Sequence, residues 1–231
     1  MAKRPVFSPL AKREHLVQET LVDFPWSPGF AASQKKKNVM ALHEAAGASG
    51  LFPLLEVSSK SEFEMGRRLS AFSLMVPTEL GDISVESAFQ GSKIFEDDGP
   101  FTDIYMMDSL SAKRDERLKK SGNLIGFEFF GVKWPLEPKT AFYDWLYLTS
   151  LRPHKEYLKE KLSVFNGFTD IEFNPERSIN CQARTCALLI SLIKLDLFEQ
   201  ALRSQEDFIG IVSADSFKQS HSDDLKQGNL I

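Results

Sequence analysis

Between Ile83 and Phe95 the chain reads ISVESAFQGSKIF, and its apolar positions recur at helical spacing. At roughly 100° per residue, Val85, Ala88, Phe89 and Phe95 share a broad apolar sector. Glu86, Gln90 and Lys93 fall within about 60° of one another on the neighbouring face. Ser84 is placed to cap this helix, and Glu86 in its first turn suits the positive end of the dipole. Glu86 and Lys93 stand about 10 Å apart in rise, too far for an ordinary i,i+4 ion pair. A row of acid, amide and amine fits a ligand better than a mutual bridge. Glycine inside a helix costs about 1 kcal/mol relative to alanine, and close approach of a backbone or ligand would account for Gly91. The plain alternative is an amphipathic core helix with a charged edge.

The remaining elements follow from the same patterning. Pro5, Pro9, Pro25, Pro28 and Gly29 break residues 1–32 too often for a long helix, and two short strands are expected, around Leu16–Val22 and before Trp26. Ser33 caps a helix from Gln34 to Ala46 that ends at Gly47 and Gly50. Leu54–Ser59 reads as a short buried strand, Glu62–Arg68 as a helix, and Leu69–Val76 as a strand leading into the central helix. After an acidic turn at Glu96–Gly99, Ser111–Lys120 reads as a charged surface helix and Gly126–Trp134 as a strand or aromatic loop. Pro135 and Pro138 open a helix over Lys139–Leu151, packed through Phe142, Trp145, Leu146 and Leu148, with Tyr143 and Asp144 facing either a pocket or a neighbouring helix. The segment Phe168–Asn174 alternates, which puts Asp170 and Glu172 on one side of an extended chain and Ile171 and Phe173 on the other. Ser178 or Asn180 caps a last helix that carries Gln182 and Arg184 and buries Leu188, Leu189 and Leu192. Residues from Ser213 on are polar and read as a mobile tail.

Composition adds limits. At 231 residues, 42% of them hydrophobic, the chain can build a substantial core. Its 19 Phe lie mostly in apolar periodic segments and point to a bulky aromatic core. The net charge of −4 argues against coating nucleic acid by bulk electrostatics, but not against an enzyme acting on one modified nucleotide. Cys181 and Cys186 lie on different faces of one helix, poorly placed for a bridge. The four His are scattered without metal-ligand spacing. A reducing cytoplasm, no metal and no cofactor are expected, and no run is long and apolar enough for a bilayer or a signal peptide.

Several polar groups suit an anionic or sugar ligand. Ser58, Ser59, Lys60 and Ser61 follow a strand end, where hydroxyls and a lysine can meet a phosphate or ribose, or equally cap the next helix. Backbone N–H groups around Ser70–Ser73 could join them. Asp170 and Glu172 are a usable acid/base or ribose-binding pair. Arg184 in a first helical turn opposes the dipole, which makes it a candidate for an anionic partner. Lys35, Lys36 and Lys37 could meet phosphates, although three adjacent lysines are ordinarily a solvated surface.

The block VESAFQGSKIF resembles a signature of the type SEHYFQAQKF, in which one helix carries Glu, an aromatic, Gln and Lys. Its place after LSAFSL, and before an acidic loop and a C-terminal helix bearing Arg, is similar to the order in the NADAR superfamily of YbiA-like N-glycosidases. SSKSEFEMGRRLSAFSLMV, SVESAFQGSKIF, KWPLEPKTAFYDWLY and FTDIEFNPERSINCQAR resemble, more closely, the branch encoded beside DarT-type toxins. The match is colinear from about Arg4 to residue 212. A Trp-Gly pair usual before the last helix is absent here, with Phe173, Asn174 and Pro175 nearby, and Ser73 stands in a segment that often carries Asn.

The resemblance implies an α+β, mainly helical fold with a small sheet and an ADP-ribose pocket. It implies one catalytic domain over residues 1–212, with an N-terminal extension (1–53) and the tail 213–231. The implied activity is removal of ADP-ribose from guanine in DNA, which makes ADP-ribosylated DNA the substrate, ADP-ribose the product and a DarT-type toxin the operon partner. Carried over, the resemblance places Glu86, Gln90 and Lys93 in the pocket, and Asp170, Glu172 and Arg184 match it less closely. Glu86 is the expected acid/base or charge-stabilising group, and Gln90 orients ribose hydroxyls. Lys93 acts either as a point charge on the pyrophosphate or as a Schiff-base nucleophile. Asp170 or Glu172 supplies a second carboxylate, and Ser58, Ser59, Lys60, Ser70, Phe72, Trp134 and Arg184 complete the candidate substrate contacts. Two other readings stay open: a small-molecule N-glycosidase of riboflavin-pathway intermediates, and a non-catalytic immunity protein that binds the toxin.

Overall fold

The structure is a computed structural model that describes residues 1–29, 31–176 and 178–214; most of the expected tail lies outside the described residues. In chain order the elements are strands β1 (Ala2–Lys12) and β2 (His15–Phe24), helix α1 (Ala32–Ala48), β3 (Leu54–Glu56), α2 (Glu64–Arg68), β4 (Met75–Thr78) and β5 (Gly81–Ser84). Then come α3 (Val85–Gly91), β6 (Lys93–Phe95), α4 (Ser109–Arg114), α5 (Arg117–Lys120), β7 (Leu124–Phe129), β8 (Val132–Trp134) and α6 (Ala141–Leu151). The chain continues through α7 (Lys155–Leu162), β9 (Gly167–Thr169), α8 (Gln182–Lys194), α9 (Phe198–Ala201) and α10 (Gln205–Ala214). Helices and small sheets share the chain, consistent with the expected α+β class. No helix among the described residues is long and apolar enough to cross a membrane. The chain divides into two compact units.

The first unit comprises Met1–Ser70, His154–Pro175 and Cys181–Glu199. Its sheet has the order β2-β1-β9-β3. The N-terminal breakers do prevent a helix, but they leave one long hairpin in place of two short strands. β1 and β2 pair from Ala2↔Phe24 to Lys12↔His15, with the register shifting after Pro9. β9 runs antiparallel to β1 through Phe7↔Phe168 and parallel to β3 from Leu54↔Gly167 to Glu56↔Thr169. α1 buries Val39, Leu42 and Ala46 against Val6, Val22, Phe24, Leu54 and Ile171. It starts at Ala32 behind Ala31, so Ser33 lies within its first turn and is not the cap. It closes on Gly50 at φ +82°, with Leu51 N donating to Ala46 O and Gly50 N to Gly47 O, the bond pair of a Schellman end. α8 is buried from Ala183 to Leu192 on every face, as its near-continuous apolar run requires. Cys181, and neither Ser178 nor Asn180, holds its N-cap position, without a side-chain cap bond. Both cysteines are free and buried.

The second unit comprises Ala71–Pro153, Glu176–Asn180 and the chain from Gln200 on. The expected strand Leu69–Val76 forms only from Met75, where β4 pairs with β5 from Met75↔Ser84 to Thr78↔Gly81. The expected surface helix is split into α4 and α5 around Asp115, whose carboxylate accepts from Arg117 N at 2.9 Å and from its guanidinium. The aromatic stretch after Gly126 is a hairpin, with β7 paired to both β6 and β8. Phe130 and Gly131 form its two-residue turn at φ +48° and +78°, as a type I′ turn demands. Over this sheet an aromatic core forms, with Phe127 and Phe142 at 4.8 Å, Phe89 and Phe127 at 5.4 Å, and Trp134 and Trp145 at 5.1 Å between ring centroids. The abundance of Phe is spent on packing.

Candidate functional site

In the second unit, Ser84 caps α3 by accepting from Ser87 N at 3.0 Å. The helix then sets Glu86 and Gln90 one turn apart, and Gln90 Nε2 donates to Glu86 Oε1 at 2.9 Å. The expected helix through Phe95 does not form. α3 ends at Gly91 and Lys93 opens β6, paired with Phe127. Packing decides this: a Cβ on Gly91 would sit 2.6 Å from the Tyr105 ring, and Ser92 Oγ turns back to Ala88 O at 2.7 Å. The close approach that Gly91 announces is therefore that of a tyrosine.

Lys93 is only 1% exposed, and its ammonium lies 5.0 Å from the centroid of the Phe89 ring. Burial pushes its pKa down to about 8; the Glu86 charge resists this and the Lys113 charge adds to it. Glu86 and Gln90 are also buried, at 6% and 3% exposed. Gln90 Oε1 accepts no hydrogen bond among the described residues. A buried orphan acceptor costs about 1–3 kcal/mol, so this carboxamide is set for a donor such as a sugar hydroxyl. Acid, amide and amine thus share a dry setting although they do not share one helix.

Two other sequence candidates, Phe72 and Trp134, belong to this unit. Phe72 is exposed; Lys113 Nζ sits 5.4 Å from its ring centroid, and its carbonyl accepts from Ser109 Oγ at 3.3 Å. Ser109 Oγ also donates to the capping Ser84 at 2.9 Å, so α4 is tied to the start of α3. Phe72, Met75, Met106 and Leu110 line part of a cavity of about 490 Å³. Trp134 is 3% exposed and packed between Phe142 and Trp145.

In the first unit, Ser58 is buried and Ser59 exposed, Lys60 is partly buried, and Ser70 is buried. Ser58 Oγ donates to Glu56 Oε1 at 2.6 Å and accepts from Lys60 N at 3.1 Å. Residues 168–174 do not stay extended: β9 stops at Thr169 and a turn follows. Asp170 is therefore 7% exposed and accepts from Glu172 N at 3.0 Å. Glu172 faces outward to Lys35 Nζ at 3.2 Å. Arg184 is buried in the first turn of α8. Burial raises the pKa of Asp170 to about 7.

Sequence reading misses the group that Asp170 stands beside. Glu56 on β3 accepts from Ser58 Oγ, Thr169 Oγ1 (2.7 Å) and Ile171 N (2.9 Å). Burial, and after it the charge of Asp170, raise the Glu56 pKa to about 8. His43 Nε2 reaches Thr169 Oγ1 at 2.8 Å, and burial lowers its pKa to about 4. A glutamate inside the apolar run LLEV is the signal that could have found it, because an acid is almost never fully buried unless paired. Among the described residues no group of His, Cys, Asp and Glu is placed to hold a metal ion.

A family model described as DarT1-associated NADAR antitoxin matches residues 2–222. A search of the curated proteins finds no match.

Proposed function

The chain belongs to the family of DarT1-associated NADAR antitoxins, and from that membership we propose that it is an ADP-ribosyl glycohydrolase that removes ADP-ribose from guanine in DNA. The observation that carries the proposal is the buried Lys93, with its pKa near 8, set with Glu86 and the half-satisfied Gln90. A lysine meant only to hold a solvated pyrophosphate gains nothing from burial; one that must give up a proton and then act as an amine does.

In the proposed reaction, the glycosidic C–N bond breaks with its electron pair going to the guanine nitrogen, which takes a proton from the Lys93 ammonium. The Glu86 carboxylate faces the positive charge that develops at the anomeric carbon. Gln90 Oε1 accepts from a ribose hydroxyl. The neutral Lys93 amine then bonds to the anomeric carbon, and the ring oxygen leaves that carbon as a hydroxyl and gives a protonated imine. Water hydrolyses the imine, which frees ADP-ribose and returns the ammonium. Guanine already projects its adduct from the duplex, so entry costs less than flipping an ordinary base.

The test is incubation of the protein with guanine-ADP-ribosylated DNA and detection of free ADP-ribose. Wild type releases it, and Glu86→Gln and Lys93→Ala lose at least about 10²-fold in rate, the scale of one charge-stabilising or acid group. Borohydride traps ADP-ribose on wild type but not on Lys93→Ala. Release from a free riboflavin-pathway intermediate and not from DNA would favour the small-molecule reading, and toxin neutralisation without any release would favour direct binding.

A further inference from the structure

The first two turns of α1 carry Lys35, Lys36 and Lys37, and the first turn holds no acidic residue. Lys36 and Lys37 are exposed and Lys35 is partly buried. The Lys35 ammonium lies 5.7 Å from the centroid of the Trp26 ring, and the Arg4 guanidinium lies 5.4 Å from the same centroid. One indole therefore serves two cations. The indole is fixed in turn: Trp26 meets Phe24 edge-on at 6.0 Å, and the carboxamide of Asn38 binds both the N–H (2.7 Å) and the carbonyl (2.9 Å) of Ser27. Asn38 is fully buried and lies one turn beyond Lys35. The indole segment and the lysine turn are thus tied to each other.

A merely solvated lysine run needs no such framework. Here two of the cations, Arg4 and Lys35, are anchored on one aromatic ring, which reduces the ordering a ligand must impose. Glu172 reaches into the group at Lys35, 3.2 Å from its ammonium. In a chain of net charge −4, a local cluster of cations attracts a polyanion by position, not by bulk charge.

We propose that Arg4, Trp26 and Lys35 to Lys37 form a surface that holds the phosphate backbone of the DNA substrate. The choice of DNA as the polyanion rests on the glycohydrolase reading; the cations and the indole rest on the fold. Contacts of this kind position a nucleic acid without reading its sequence.

The test uses the full-length protein and a short labelled duplex without adducts, read by fluorescence anisotropy across a salt series. Wild type binds with a steep salt dependence. The double variant Lys36→Ala/Lys37→Ala, changed at two exposed positions, binds about tenfold or more weakly. Its slope of log K against log salt is flatter by about 1.8, at about 0.9 for each phosphate that the protein no longer neutralises. The same variant releases ADP-ribose from a modified nucleoside at the wild-type rate and from modified duplex more slowly. No duplex binding by wild type, or equal affinity and slope in the two proteins, overturns the surface. If no form of the protein releases ADP-ribose while the double variant still loses duplex affinity, the glycohydrolase reading falls and the surface stands.

Discussion

Two charges and a dry setting compete at Lys93, and their balance fixes when the proposed reaction can run. Burial brings the ammonium down to about 8, Glu86 holds it up and Lys113 presses it further down. A reaction that begins with proton donation from Lys93 slows as pH rises through that value. Lys113→Gln removes the cation that disfavours the ammonium, so the pKa of Lys93 rises and the alkaline limb moves to higher pH. The profile of kcat/KM against pH on a modified nucleoside checks this; a limb that stays in place would sever Lys113 from the site. Glu86 and Gln90 are legible in sequence because Ser84, Val85 and Phe89 announce the helix that carries them. Lys93 is read in the right company for the wrong reason, since it arrives on a strand. The orphaned Gln90 Oε1 and the reach of Lys113 are products of packing, and no spacing of letters encodes them.

Elements are legible where local chemistry decides them and obscure where partners do. α6 and α8 appear nearly as the apolar spacing predicts, and the helix at residues 32–48 is displaced only at its ends. β1 hides behind Pro5 and Pro9, because pairing along β2 outweighs the breakers. The β7–β8 hairpin hides because Phe130 takes a positive φ that Asn or Gly would advertise, with Tyr105 stacked on its ring at 5.7 Å. β3 and β9 carry the least legible group, the buried Glu56 and Asp170, and this pair has a consequence for stability. Both carboxyls hold protons in the folded chain to about pH 8 and 7, whereas unfolded they ionise near pH 4. Their contribution is full below that and is lost as pH rises through 7 and 8. His43 works the other way: folded, it is neutral down to about 4, so it costs stability as pH falls below about 6.5. Two carboxyls outweigh one imidazole between about pH 5 and 8, so stability in this cluster declines with rising pH across that window. Urea midpoints at pH 5.5 and 8 read the decline, and Glu56→Gln flattens it. A midpoint that rises with pH in wild type would contradict the protonated pair.

For the molecule as a whole, net charge and function stand opposed until charge is resolved in space. A chain at −4 is not built to coat DNA, yet an enzyme that erases single lesions needs only brief visits, and a tight polyanion binder would be sequestered on unmodified duplex. Weak, local and salt-sensitive contact is therefore what a repair-like role asks for. Family membership narrows the partner to a DarT1 toxin, but two kinds of antitoxin would fit that membership, and they differ in number. A protein that masks its toxin acts one for one. A glycohydrolase turns over, so a small amount clears many adducts and does so after the toxin has gone. DNA modified in advance and freed of toxin should thus lose its ADP-ribose completely when the protein is added far below the molar amount of adduct, with Lys93→Ala inactive at any ratio. Protection that needs toxin present, and that saturates at one protein per toxin, would show that the buried acid, amide and amine serve the fold and that neutralisation is by contact.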